Sequence, residues 1–321
     1  MLSKNLVNIP QELNFLKNLL YLSPVPWASF AQRPHKFVSW FQSHYQGKVF
    51  WIEPYATRLP SLADLRRFQK AKRSLGVTPC PEWLTICSPS SLPVEPLPGS
   101  GWLNRRLWKS SLTDAAEFAG DGECVIVVGK PSRLALQIME RLPELRSIYD
   151  AMDDFPAFYT GLSHAAMKRS EEAVASRADE VWTSSSFLQN RWKTKHSNVR
   201  LIFNGLDSDV IRNVAIAPSS SDQKIFGYIG TVGQWFDWEM VVALARSSPG
   251  DLIHIIGPVY KLPPKDLPGN IRMFPACEHE RALTEMAHFD VGLIPFLKNE
   301  LTRSVDPIKF AMAGRDEPNG R

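Results

Sequence analysis

The strongest constraint in this sequence is the run Cys124–Val128, Cys-Val-Ile-Val-Val, which holds no polar residue. A strand with one wet face alternates polar and apolar residues, so an unbroken apolar run predicts a strand covered on both faces. Helices provide that cover when parallel strands are joined by right-handed βαβ crossovers. The flanking sequence repeats the pattern. Apolar runs at 19–23, 48–53, 83–87, 146–149, 180–184 and 199–203 read as strands, with helical patterns opening at Arg33, over 61–75, after Ser132 and over 163–178. A second series follows, with strands at 225–229, 252–256, 271–274 and 291–295 and helices over 237–246 and 278–286. The fold class is therefore α/β, with two Rossmann-like parallel sheets.

The 321 residues suit two domains. The first spans 1–210, a small polar linker spans 211–223 with its core at 217–223, and the second spans 224–321. A net charge of +4 is too small to argue for nucleic acid, but suits anionic ligands or an acidic membrane face. The four cysteines, at 80, 87, 124 and 277, show no zinc-knuckle or redox spacing and fit a reducing, cytoplasmic compartment. No apolar run is long enough to span a bilayer, and the first residues lack the apolar stretch of a signal peptide.

Ligands of open parallel sheets bind outside the carboxyl ends of strands, so the loops after strands carry the candidate chemistry. Gly227-Tyr-Ile-Gly230-Thr231-Val-Gly233 sets glycines between a strand and a helix, where backbone N–H groups can approach a phosphate. Its spacing differs from the dinucleotide fingerprint, and a tight turn is the plain alternative. Asp150, Asp153 and Asp154 crowd three carboxylates together, which raises one pKa toward that of a general base. The alternative is a helix N-cap with solvated charge. Arg33 offers a donor fork for carboxylate or phosphate, and His35 a polar or proton-transferring contact, unless its ring is bonded to backbone at the helix start. Gly257-Pro258 is either a turn or a wall against a nucleobase. Thr302, Asp306 and Lys309 lie near a helix start, where a lysine opposes the helix dipole unless an anion sits there; an exposed surface lysine is the other reading. No clustered metal ligands, P-loop or Ser–His–Asp order are present.

The ordered combination is more specific than its parts. SPVPW…QRPH, YDAMDDFPAF, ADEVWTSSSFL and NVRLIFNGLD are followed by IFGYIGTVGQWFDW, FDVGLIPF and SVDPIKF. Over about 18–310 the chain resembles bacterial GT-B-fold glycosyltransferases that build exopolysaccharides and other surface glycans. The resemblance implies two Rossmann-like domains facing across a cleft. The second would hold a nucleotide-sugar and the first a glycan or lipid-linked acceptor, with no metal cofactor. It implies that Gly230 and Thr231 lie beside the donor diphosphate and that Gly257 and Pro258 border the base. Thr302, Asp306 and Lys309 would contact sugar and phosphates, Arg33 and His35 would face the acceptor, and Asp153, Asp150 or Asp154 would be the base. After Phe310 the family pattern of a Tyr-Glu-Tyr helix and a Gly-Lys-Pro-Val turn is absent, so the expectation is a C-terminally shortened donor domain. This leaves a non-catalytic nucleotide- or glycan-binding remnant as the alternative, with a nucleotide-sugar epimerase of the same fold behind it. The basic helix Arg66 to Arg73, the stretch Asn104 to Lys109 and tryptophans at loop starts add an anionic membrane surface to the expected partners.

Overall fold

The structure, a computed structural model, describes residues 18–29, 31–59, 80–120, 123–204, 222–277 and 279–304. The helix expected over 61–75 lies outside the described residues, as do 211–221 of the linker, Asp306 and Lys309. The chain divides into two compact units, Met1–Phe203 and Asn204–Arg321.

The first unit carries seven parallel strands: β1 (Asn18–Leu22), β2 (Lys48–Ile52), β3 (Leu84–Cys87), β4 (Cys124–Val128), β5 (Ser147–Ala151), β6 (Glu180–Thr183) and β7 (Val199–Leu201). Their order is β3-β2-β1-β4-β5-β6-β7, so the winding reverses between β1 and β4. Side-chain alternation splits each central strand between two cores. Leu20, Leu22, Ile126 and Val128 join one core with Val174 and Leu188 from the helices Gly161–Arg177 and Ser186–Lys193. Leu19, Tyr21, Val125 and Val127 join the other with Val38 and Phe41 of the helix Arg33–Tyr45. This double burial is the physical meaning of the bare apolar run.

The second unit has four parallel strands among its described residues: β8 (Ile225–Ile229), β9 (Leu252–Ile256), β10 (Ile271–Phe274) and β11 (Val291–Gly292). Their order is β10-β9-β8-β11, with the reversal between β8 and β11. The helix Trp238–Ser247 covers one face, packing Val241 and Ala245 on Tyr228, Ile253 and Ile255.

Two expectations shift. The strand expected at 146–149 extends through Ala151, which places Asp150 inside β5 rather than in the following turn. The strand expected at 291–295 contracts to Val291–Gly292. Beyond it the chain bends to bond the β8 loop, with Asp237 N–H to Pro295 O at 2.8 Å and Leu297 N–H to Trp235 O at 2.8 Å. A helix spans Ser100–Leu107 and another Lys109–Ala119, two elements beyond those read from the sequence.

Ile126 is fully buried in the central strand. Ile126→Ala is expected to cost about 2–5 kcal/mol, read as a lower urea midpoint with an unchanged m-value.

Candidate active site

The loops after β1, β4, β5 and β6 meet at the carboxyl edge of the first sheet. The β1/β4 reversal, where such a sheet ordinarily takes a ligand, is closed here by the protein itself. Gly129 and Lys130 N–H both donate to Leu22 O, at 2.9 and 3.2 Å. A Cβ on Gly129 would lie 2.8 Å from the Tyr21 hydroxyl, so glycine is required there. The helix Arg133–Arg141 begins with Ser132 as cap, its hydroxyl accepting from Ala135 N–H. Its first N–H, on Arg133, already binds an internal carboxylate, Glu95, at 2.7 Å.

Next to this edge lies the Arg33–Asp150 pair. Arg33 Nε donates to both carboxylate oxygens at 3.2 and 3.1 Å, Nη2 to Oδ1 at 2.8 Å, and Nη1 to the Ile202 carbonyl at 2.8 Å. The side chains are 12% and 3% exposed, so the pair is desolvated and survives through bidentate geometry. Burial opposes the guanidinium charge, but Asp150 holds its pKa above the ordinary arginine value.

The three carboxylates are sorted by their partners. Asp150 is held by Arg33. Asp154 is paired with Arg191 at 2.7 Å. Asp153, partly exposed, receives no hydrogen bond among the described residues. Burial, then the charges of Asp150 and Asp154, raise its pKa to about 7 against the opposing pull of Arg33. This is the value a general base needs near neutrality.

A second layer lies beneath. Arg191 also binds Glu171, at 2.7 Å, and the Tyr149 hydroxyl donates to Glu171 at 2.8 Å. Glu171 is fully buried, and burial raises its pKa to about 7 against Arg191 and Tyr149. Sequence reasoning missed Arg191, Glu171 and Tyr149. One signal existed: Glu171 shares its helix face with buried Met167, Val174 and Ala175, an apolar stripe on which a carboxylate requires a partner.

His35 lies at the start of its helix with both ring nitrogens engaged. Nδ1 accepts from Gln32 N–H at 3.2 Å, and Nε2 faces the Trp27 carbonyl at 3.1 Å. Accepting at Nδ1 makes Nε2 the donor, which defines a neutral tautomer, and burial lowers the pKa. The ring thus serves as a helix-start brace, and its nitrogens are not open to an acceptor.

In the second unit, Gly230 and Gly257 follow adjacent strands β8 and β9 with φ of 148° and 143°, a region open to glycine. A Cβ on Gly257 would stand 2.2 Å from the Gly230 carbonyl oxygen. Gly230 N–H binds Ile256 O and Val232 N–H binds Pro258 O, each at 2.9 Å. The alternate N–H groups, on Thr231 and Gly233, make no hydrogen bond among the described residues. This loop follows β8, one side of the β8/β11 reversal. Thr302 is not placed as a free contact. Its hydroxyl accepts from Asn299 N–H at 3.1 Å and donates to the Leu297 carbonyl, so it caps the short helix Glu300–Arg303. Asp306 and Lys309 lie outside the described residues. Among the described residues no three His, Cys, Asp or Glu side chains are grouped to hold a metal ion.

No protein-family model and no curated protein sequence matches the chain. Solved structures do. Sucrose-phosphate synthase from Thermosynechococcus elongatus aligns with a TM-score of 0.59 at 13% identity, over 87% of this chain and 75% of its own. Anabaena HepE, solved in complex with UDP and glucose, aligns at 0.56 and 13%, over 86% and 73%. The catalytic domain of starch synthase IV from Arabidopsis thaliana, bound to ADP and acarbose, aligns at 0.52 and 10%, over 88% and 78%. The two parallel sheets of this chain are those of the GT-B fold, shared with these glycosyltransferases.

Two outcomes are expected from the carboxylate sorting. Arg33→Met leaves Asp150 buried and unpaired, at a cost of about 3–5 kcal/mol; Arg33→Met/Asp150→Leu loses less than the single variant, as urea melts will show. Asp153 and Glu171, with folded pKa near 7, bind protons more tightly folded than unfolded. Their contribution to stability therefore falls as pH rises from about 4 through 7. Asp153→Asn flattens this decline and raises the melting temperature at pH 8 relative to the parent.

Proposed function

We propose that this protein transfers a sugar from a nucleotide-sugar to a hydroxyl of a glycan or lipid-linked acceptor in surface polysaccharide biosynthesis. The observation that carries the reading is the pairing of a GT-B fold with a carboxyl, Asp153, that receives no hydrogen bond among the described residues and whose pKa is raised to about 7 at the edge of the first sheet. Asp153 takes the acceptor proton as the hydroxyl oxygen bonds the anomeric carbon. The bond from that carbon to the diphosphate breaks, and the nucleoside diphosphate leaves with the electron pair. Asp150 acts through its charge, which together with burial holds Asp153 basic, while Arg33 holds the Asp150 carboxyl in place. The donor belongs to the second unit. Support comes from the Thr231 and Gly233 N–H groups beside Gly230, which make no hydrogen bond among the described residues and suit phosphate oxygens. Gly257 and Pro258 then border the base. Glu95 at the Arg133 helix start argues against a phosphate at the equivalent place in the first unit. With no metal in the proposal, backbone dipoles neutralise the leaving group.

Calorimetric titration with UDP, GDP, TDP and ADP, followed by transfer assays, tests this. One nucleotide is expected to bind, and Asp153→Asn to lower kcat roughly 100- to 10,000-fold while nucleotide affinity holds. The acid limb of kcat/KM is expected near pH 7. Nucleotide binding without turnover would assign a non-catalytic binding protein. Full activity in Asp153→Asn would remove the carboxylate from the mechanism.

A further inference from the structure

The helix Ser100–Leu107 turns its apolar residues the wrong way for a globular domain. Its buried positions, recurring every four residues and continuing past its end, are Ser100, Asn104 and Trp108. Trp102 is 68% exposed, Leu103 47% and Leu107 42%. The preceding loop adds Leu92 and Leu97, at 46% and 42%. This exposure is built in. The buried Asn104 amide pins Leu92 from both sides, accepting from its N–H at 2.9 Å and donating to its carbonyl at 3.1 Å. The Gln137 amide donates to the Gly101 carbonyl at 3.2 Å, fixing the helix to the domain body.

Charge follows the same division. Arg105, Arg106 and Lys109 are exposed beside the apolar side chains. Arg106 stands over the Trp102 ring, 5.8 Å from its centroid. Glu95, the one acidic residue between Ser88 and Thr113, is turned inward against the Arg133 N–H and is 4% exposed. The outer surface of this element is therefore apolar and cationic, with its single carboxylate withdrawn. Exposed Trp and Leu interleaved with arginine is the composition of an interfacial helix, and three cations without an anion complement an acidic headgroup layer.

We propose that Leu92, Leu97 and the helix Ser100–Leu107 form a docking surface for an anionic lipid bilayer. Among the described residues no helix is long and apolar enough to cross a membrane, so the contact is superficial: Trp102, Leu103 and Leu107 enter the headgroup boundary while Arg105, Arg106 and Lys109 meet lipid phosphates. The surface stands whether or not the protein transfers sugar.

Vesicle flotation tests it. The protein is expected to float with phosphatidylcholine vesicles containing about 30% phosphatidylglycerol and to stay behind with phosphatidylcholine alone. Arg105→Glu/Arg106→Glu is expected to weaken vesicle binding by at least roughly tenfold, and Trp102→Ser/Leu107→Ser likewise, with melting temperature and nucleotide binding unchanged. Equal recovery with both vesicles, or flotation indifferent to both variants, overturns the proposal. So does a protein that ignores vesicles but forms a dimer by light scattering that Trp102→Ser/Leu107→Ser dissolves, which would make the patch a subunit contact.

Discussion

The Arg33–Asp150 ion pair is the interaction on which the carboxyl edge of the first sheet depends. It joins the helix that follows β1 to the interior of β5, and through the Ile202 carbonyl to the chain leaving β7. An aspartate inside a central strand, 2% exposed, is untenable without such a partner. Once the pair exists, it fixes the field at Asp153. Asp150 contributes the negative charge that favours the protonated form, while Arg33 limits the effect. The second cation, Arg191, does the complementary work by pairing Asp154 and Glu171. Two arginines thus pair the carboxylates around Asp153, which itself receives no hydrogen bond among the described residues.

The same logic separates the two sheets. In the first, the β1/β4 reversal is filled by the Gly129–Leu22 contact and by Glu95 at the next helix start. In the second, the loop after β8 leaves alternate N–H groups without a hydrogen bond among the described residues. Both units use the same βαβ architecture, and the difference lies in what the chain itself has already placed at the strand ends.

Much of the architecture was legible because burial on both faces writes itself directly into composition. The strands Cys124–Val128, Ile225–Ile229 and Leu252–Ile256 stand where their apolar runs stand, and Ile271–Phe274 stands where expected although Arg272, Met273 and Phe274 are exposed. Asp150 was misplaced into a turn because local charge reads as solvent, and its partner lies over a hundred residues earlier. The helix Ser100–Leu107 escaped notice because Ser100 and Asn104 face inward, which leaves no apolar stripe to detect. The loops carrying the candidate site were legible as places, since strand ends are where backbone and polar side chains collect. Which carboxylate is free was not, because the answer belongs to Arg33 and Arg191 and neither is near Asp153 in sequence. His35 and Thr302 show the converse: polar residues at helix starts that the local backbone had already claimed.

The place of β4 in the first sheet also has a bearing on how the chain comes to be folded. β1 pairs with β2 on one side and with β4 on the other, and Asn18 meets Cys124 across more than a hundred intervening residues. During synthesis β1, β2 and β3 emerge long before β4, so the side of β1 that will pair with β4 lacks its partner until the middle of the domain has left the ribosome. Non-local parallel pairing of this kind is slow and exposes the nascent chain to association. The strand that is buried along its whole length in the mature domain is thus the one whose late arrival leaves the nascent sheet open longest.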